Sequence, residues 1–241
     1  MPAPKPFLSP LFEAGFEPEI ATGWEYSETE KRVHGVERHG AIDFDASRGT
    51  PVLAAAGGLA IATFQEYQLR DGDEPRRHDG EPIWFGVGLV VQIWHKPGRY
   101  TQYAHLDSVE GGIPYYAPTS DERGDLMPTH LAAPVSEYGR SIRAKRVSAG
   151  ERIGRAGMTG MGIGRRSYED WSSGEAYTTY TGDHLHFCVL GRRSPQTRRA
   201  ERWDPFNVYD SVESGRYPDR VADWPSLPGS LWIRWSASAH R

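Results

Sequence analysis

A His-x-His pair, His184 and His186, lies in a stretch in which every second residue is apolar. A period of two is typical of a β-strand with one buried face, and side chains two apart point the same way, roughly 6.5–7 Å from each other. The two imidazoles are therefore predicted to stand on one face, with Leu185, Phe187 and Val189 in the core behind them. One imidazole in such a pair can bind a metal ion while its neighbour reaches a water on that ion. Two surface histidines on an edge strand would give the same pattern, so further ligands are needed.

A second cluster of potential ligands begins at His39, four residues before Asp43. A straight strand would separate these two side chains by about 13 Å, too far for one ion at ~2 Å from each. Gly40 permits a turn or bulge directly after His39, so both side chains can converge. An imidazole, a carboxylate and a second imidazole from the His-x-His strand make a three-ligand zinc site with one open position. Asp45 shares a strand face with Asp43, and alternation alone does not choose between the two carboxylates.

A third histidine with chemical potential lies near the end of a predicted hairpin. Its strands are predicted at Trp84–His95 and Arg99–Leu106, separated by a Lys-Pro-Gly turn. On the return strand Thr101, Tyr103 and His105 are predicted to share one face. A histidine at a strand end beside a tyrosine is a plausible partner for a metal-activated water, although a lone histidine of this kind is more often structural.

Composition limits the fold and the function. The 241 residues contain 27 Gly and 18 Pro, and 38% of them are hydrophobic, which fits a loop-rich globular protein of one domain or one domain with appendages. Short runs of Val, Ile, Tyr and Trp between turn residues predict a mainly β fold. A net charge of −4 gives no basic field for nucleic acid, and a single cysteine excludes a disulfide framework or a Cys-based zinc site.

The remaining segments carry fewer signals. Residues 65–82, 107–146 and 161–181 are predicted to be long loops, the second of them a wall or lid over a groove. The proline-broken start does not have the form of a signal peptide, and the most apolar run, Val52–Phe64, is too short to span a bilayer. No function is predicted for the tryptophan-rich tail, and the sequence does not indicate an oligomeric state.

Four short motifs follow one another in a fixed order along the chain. They are His39-x-x-x-Asp43, Tyr103-Ala-His105-Leu106, Ile153-Gly-x-x-Gly-x-Thr-Gly160 and His184-Leu-His186-Phe. Together they resemble the lysostaphin/LytM-type zinc metallopeptidases over roughly residues 36–210. The resemblance implies a metallopeptidase domain at 36–210, an N-terminal extension at 1–35 and a C-terminal tail at 211–241.

The same resemblance implies roles for five residues. His39, Asp43 and His186 would be the ligands of one Zn²⁺ ion, which favours Asp43 over Asp45. His105 and His184 would be the catalytic pair that orients and deprotonates the water. The implied fold is an antiparallel β-sheet sandwich or open barrel of the lysostaphin type, with long loops around a groove.

By the resemblance, the substrate would be a peptide bond in bacterial peptidoglycan, in cross-links or stem peptides. The cell envelope or the extracellular space would be the expected location, although no export signal is visible. A non-cleaving peptidoglycan-binding or regulatory module on the same scaffold is the alternative, and a zinc hydrolase for another bond is a third hypothesis. All five site positions are filled, which favours catalysis.

Overall fold

The structure is a computed structural model that describes residues 5–28, 31, 38–65, 77–96, 98–116, 144–163, 182–193, 200–207 and 217–234. These ranges contain mainly β-strands, followed near the end by a 3₁₀ helix at Val221–Ser226. The strands are β1 Ile20–Thr22, β2 Ile42–Asp45, β3 Pro51–Leu53, β4 Gly58–Gln65, β5 Arg77–His78, β6 Glu81–Phe85, β7 Gly88–Lys96, β8 Arg99–Ala104, β9 Leu106–Val109, β10 Tyr115–Tyr116, β11 Lys145–Val147, β12 Arg152–Ala156, β13 Met161–Ile163, β14 His184–Arg193 and β15 Ala200–Trp203.

The strands form one large sheet and two small ones. The large sheet has the order β1-β2-β14-β8-β7-β4-β10, with β11 also paired to β4 and β15 to β14. The small sheets are β3-β12-β9 and β13-β6-β5. Pairing is antiparallel except between β10 and β4, and none of these sheets of the described residues closes on itself. The prediction of a mainly β, antiparallel fold is confirmed.

Strand β14 has the two faces that its alternation predicts. Leu185, Phe187 and Val189 are fully buried in the main core, and the Phe187 ring lies 5.3 Å from that of Tyr103. Burying each such apolar side chain stabilises the fold by about 1.5–3 kcal/mol. His184 and His186 lie on the opposite face. The core therefore fixes the register of β14, because a shift by one residue would turn the imidazoles into the apolar core.

The tail supports the strands that carry the site. Trp224 stacks on Phe44 of β2, with ring centroids 5.3 Å apart, and Trp232 stacks on Phe187 of β14 at 5.9 Å. Phe44 and Phe187 lie on the reverse side of the large sheet from the imidazoles. The aromatic tail residues that carried no functional prediction thus stabilise the backs of β2 and β14.

The N-terminal segment packs into the same core. Leu11, Phe12 and Trp24 are buried, and β1 pairs with β2. The division of the chain into 1–35, 36–210 and 211–241 stays a prediction. Described residues of the first and last segments pack in the same hydrophobic core as those of the middle segment.

Two predicted strands differ from the structure. The strand predicted at Trp84–His95 is interrupted, because β6 ends at Phe85 in a small sheet and β7 begins at Gly88 in the large one. Gly88 has φ +62°, a left-handed conformation that breaks the strand. The return strand ends at Ala104, and β9 starts at Leu106 in another sheet. His105 occupies the corner between them.

The predicted long loops are partly strands. Residues 77–85 form the hairpin of β5 and β6, and the range 107–146 includes most of β9, all of β10 and the first two residues of β11. Most of the three predicted loops, including the proposed wall or lid, lies outside the described residues. Within the described ranges, no helix is long and apolar enough to cross a membrane.

Candidate metal centre and catalytic histidines

Three potential ligand atoms converge at one point of the large sheet. His39 Nε2 lies 3.2 Å from Asp43 Oδ1 and 3.1 Å from His186 Nδ1, and the last two atoms are 2.8 Å apart. Ligand atoms at ~2.0–2.1 Å from a tetrahedral zinc stand ~3.3 Å apart. The three residues are at most 9% exposed. Their separation and their two-imidazole, one-carboxylate composition fit a Zn²⁺ ion.

A left-handed glycine brings His39 to this point. Gly40 has φ +65°, and a Cβ atom there would lie 2.8 Å from the Cδ atom of Arg202. The Arg202 guanidinium donates hydrogen bonds to the carbonyls of His39 and Gly40, at 3.0 and 3.3 Å. The predicted turn after His39 is present, and Arg202 of β15 holds it from outside.

Strand register places Asp43, rather than Asp45, beside His186. In the β2–β14 ladder Asp43 is opposite His186, while Asp45 is opposite His184 and is exposed. The two carboxylates share a strand face, as predicted. Their different positions along the strand decide which of them lies beside His186.

A hydrogen bond to the backbone fixes which nitrogen of the His39 ring faces the cluster. Its Nδ1 lies 2.8 Å from the Gly23 carbonyl, which can only accept, so Nδ1 carries the proton. In the neutral ring, Nε2 then keeps its lone pair toward Asp43 and His186. A carbonyl that fixes the tautomer of a ligand histidine is a recurrent feature of metal sites.

His186 has the opposite arrangement, with Nδ1 toward the site. Its Nε2 lies 3.3 Å from the Sγ of Cys188. Burial acts to lower the pKa of His186, but Cys188 and the Asp43 carboxylate outweigh burial and raise this pKa. The thiol has the reverse shift, because His186 outweighs the effect of burial and lowers the pKa of Cys188.

The Asp43 carboxyl is surrounded by imidazoles. Burial acts to raise its pKa, but the three neighbouring histidine rings outweigh burial and hold the pKa well below its usual value. Asp43 is therefore ionised at neutral pH, as a metal ligand must be.

His105 and His184 form a second pair beside the potential ligands. Their ring centroids are 4.7 Å apart, and the His105 ring lies 5.6 Å from that of His186. The Nδ1 of His184 is 3.1 Å from the Gly182 carbonyl, and its Nε2 is 3.8 Å from Asp43 Oδ1. The pair thus flanks the point where the potential ligands meet.

His105 is held in its neutral form. Its Nδ1 donates to the Thr159 carbonyl at 2.9 Å, which leaves Nε2 as an acceptor. Burial disfavours the imidazolium, and the nearby His184 and His186 add to that effect, so the pKa of His105 lies well below its usual value.

The predicted face of His105 is wrong. Tyr103 pairs with Phe187 in the β8–β14 ladder and points into the core, where its hydroxyl accepts from the Ala55 N–H. Alternation would send His105 to the core as well. His105 instead has φ +59°, and this left-handed residue turns its side chain to the opposite face.

All five residues singled out in the sequence come together on one face of the large sheet, while their roles stay predictions. Contacts that were not predicted support them: Gly23 and Arg202 at His39, Cys188 at His186, and Thr159 at His105. Thr159 lies in the glycine-punctuated motif, so that motif was the available signal. Cys188 lies two residues from His186 on the same strand face, whereas Gly23 and Arg202 reach His39 from other parts of the chain, with no local pattern.

Comparisons with known proteins give structural matches alone. No protein-family model matches the chain, and no curated protein sequence matches it. A zinc-containing peptidase from Vibrio cholerae matches with 20% identity over 82% of this chain and a TM-score of 0.42. A mutant catalytic domain of the prophage-encoded M23 protein EnpA from Enterococcus faecalis matches with 16% identity over 85% and a TM-score of 0.42. The antimicrobial peptidase lysostaphin from Staphylococcus simulans matches with 16% identity over 83% and a TM-score of 0.39.

These matches differ in how much of the matched protein they cover. This chain spans 39% of the Vibrio cholerae chain and 52% of the lysostaphin chain, but 98% of the EnpA domain.

Proposed function

We propose that the chain is a zinc metalloendopeptidase of the lysostaphin/LytM type that hydrolyses peptide bonds in bacterial peptidoglycan, in cross-links or stem peptides. Its catalytic unit is residues 36–210. The observation that carries the proposal is the convergence of three potential ligand atoms within 3.2 Å of one another, flanked by two further imidazoles. The substrate class rests on the order of the four sequence motifs.

His39, Asp43 and His186 are the proposed ligands of one Zn²⁺ ion. Two neutral imidazoles and one carboxylate leave such an ion a residual positive charge. Bound there, Zn²⁺ would supply the Lewis acidity that acidifies a water and polarises a peptide carbonyl. The ionised Asp43 is already in the protonation state that metal binding needs, and the contact of His39 Nδ1 with the Gly23 carbonyl directs its Nε2 toward the other two ligands.

His105 and His184 are the proposed catalytic pair. His105 is neutral at pH 7, so its Nε2 can accept a proton from the attacking water and later return it to the leaving amine. His184 stands beside it, with its Nδ1 donating to the Gly182 carbonyl, so that in the neutral ring its Nε2 is an acceptor that can help to orient the water. Acid–base catalysis of this kind typically contributes about 10²–10⁴ in rate.

The test is incubation of the zinc-loaded chain with purified peptidoglycan, alone, with 1,10-phenanthroline, and with chelator followed by excess Zn²⁺. We expect new amino termini in the first and third reactions and none in the second. The His186→Ala variant is the matched protein control and should release none.

Other outcomes point to other functions. Binding to peptidoglycan without any released fragment contradicts catalysis and supports the non-cleaving module. New reducing ends in place of new amino termini indicate hydrolysis of a glycan bond and also contradict the proposal.

A further inference from the structure

The backbone at His105 is strained and must be held from outside. A left-handed conformation is unfavourable for a residue that has a Cβ atom, and His105 adopts it at φ +59°. Its own N–H donates to the Val87 carbonyl at 2.9 Å, which ties the corner to the segment between β6 and β7. A residue in such a conformation persists when its surroundings determine it.

Thr159 makes three contacts around that corner. Its carbonyl accepts from the Nδ1 of His105 at 2.9 Å. Its hydroxyl donates to the Leu106 carbonyl at 2.7 Å and accepts from the Leu89 N–H at 2.9 Å. One side chain thus joins the start of β9 and the start of β7, while its backbone holds the imidazole between them.

The loop that carries Thr159 fits tightly against β7. A Cβ atom on Gly88 would overlap the Thr159 carbonyl, and one on Gly160 would overlap the Gly88 amide. The Gly86 N–H donates to the Gly160 carbonyl at 2.8 Å. These two glycines allow the close backbone approach that Thr159 needs to reach the corner.

We propose that Thr159 is a positioning residue for His105: through its hydroxyl it fixes the corner between β8 and β9, and through its carbonyl it fixes the tautomer and direction of the imidazole. The inference rests on the proposed function, in which His105 moves a proton. The hydrogen bonds of Thr159 go to His105, Leu106 and Leu89 and not to the potential ligands. It acts through His105.

The experiment compares Thr159→Val, which keeps the shape but removes the hydroxyl, with Thr159→Ser, which keeps the hydroxyl. Thr63→Val is the control, because Thr63 is likewise a buried threonine, here in the large sheet, and its hydroxyl donates to the Tyr116 carbonyl at 2.9 Å. Zinc content and the unfolding temperature are measured for every variant, together with the rate of peptidoglycan hydrolysis.

We expect Thr159→Val to retain zinc but hydrolyse at least about tenfold more slowly, within the 10²–10⁴ that an acid–base group contributes. Thr159→Ser should stay within about threefold of the unsubstituted rate. Thr63→Val should lose stability with little loss of rate. Equal rate losses in Thr159→Val and Thr63→Val, at equal unfolding temperatures, would reduce Thr159 to a structural residue and overturn the proposal.

A spectroscopic measurement makes the test independent of catalysis. NMR should show the His105 Nδ1–H as a slowly exchanging proton, identified by its absence in His105→Ala and broadened in Thr159→Val. Absence of this resonance from the unsubstituted protein contradicts the proposal. If the resonance is present and peptidoglycan is not cleaved, the positioning role stands and the proposed function fails.

Discussion

The rings of His186 and His105 lie 5.6 Å apart, yet the backbone brings them to the site by opposite means. His186 lies within a regular strand, and its direction follows from alternation and from the core behind β14. His105 lies between two strands, and a left-handed residue turns it against alternation. The proposed metal-binding half of the site is therefore a product of sheet register, while the proposed proton-transfer half depends on a strained corner and its contacts.

The largest expected effect tests the register of the metal-binding half. Asp43→Asn removes the proposed carboxylate ligand from a place opposite His186, so zinc should be lost and hydrolysis should fall by more than about 10⁴. Asp45→Asn, two residues away on the same face, is the control and should keep both zinc and activity within about twofold. Equal effects of the two substitutions would contradict the assignment of Asp43.

The next effect separates the two halves. His105→Ala should retain one equivalent of zinc while hydrolysis falls by about 10²–10⁴, because the imidazole is proposed to move protons and not to bind the ion. Zinc content and initial rates on the same preparation check this. Loss of zinc together with activity would place His105 among the ligands and remove the distinction between the halves.

A smaller effect probes the turn that brings His39 to the ion. In Gly40→Ala a left-handed residue acquires a Cβ, which costs about 1–2 kcal/mol, and that Cβ contacts the Arg202 side chain. Zinc affinity should fall by about 5- to 30-fold, measured by competition with a chelator. Gly49→Ala is the matched control, since Gly49 has φ +88° with open space around it. It should lose similar stability with unchanged zinc affinity.

The smallest expected effect is the pH dependence of zinc binding. Without metal the pKa of His186 lies above the usual 6.5, so this ring stabilises the fold fully below pH 6.5, and the stabilisation is lost as pH rises through the raised pKa. Zinc must displace the proton that the His186 ring holds below its raised pKa. Apparent zinc affinity should therefore rise with pH above 6.5, by up to about tenfold per unit. Calorimetry in buffers of different ionisation enthalpy should detect one proton released at pH 7, and zinc uptake without proton release contradicts this.

The sequence allowed the metal-binding half to be predicted more fully than the other. Alternation around His186 and the glycine after His39 are local signals, and both features are present in the structure. The choice of Asp43 over Asp45 needed the register between β2 and β14, which no local pattern contains and which the motif resemblance supplied.

The corner at His105 was predicted incorrectly because strand alternation was extended through a residue that breaks it. The contact that holds the ring there comes from Thr159, 54 residues away in the chain, and the turn at His39 is held by Arg202, 163 residues away. Such contacts have no periodic signature. The two tail tryptophans behind β2 and β14 were unexplained for the same reason.

The most direct test of the central claim is the zinc content of the chain combined with X-ray absorption at the zinc edge. One ion per chain is expected, bound by two imidazole nitrogens and a carboxylate oxygen at ~2.0–2.2 Å, and lost in Asp43→Asn. A sulfur ligand at ~2.3 Å would instead implicate Cys188, and unchanged zinc content in Asp43→Asn would mean that the ion binds elsewhere. Either result would contradict the account.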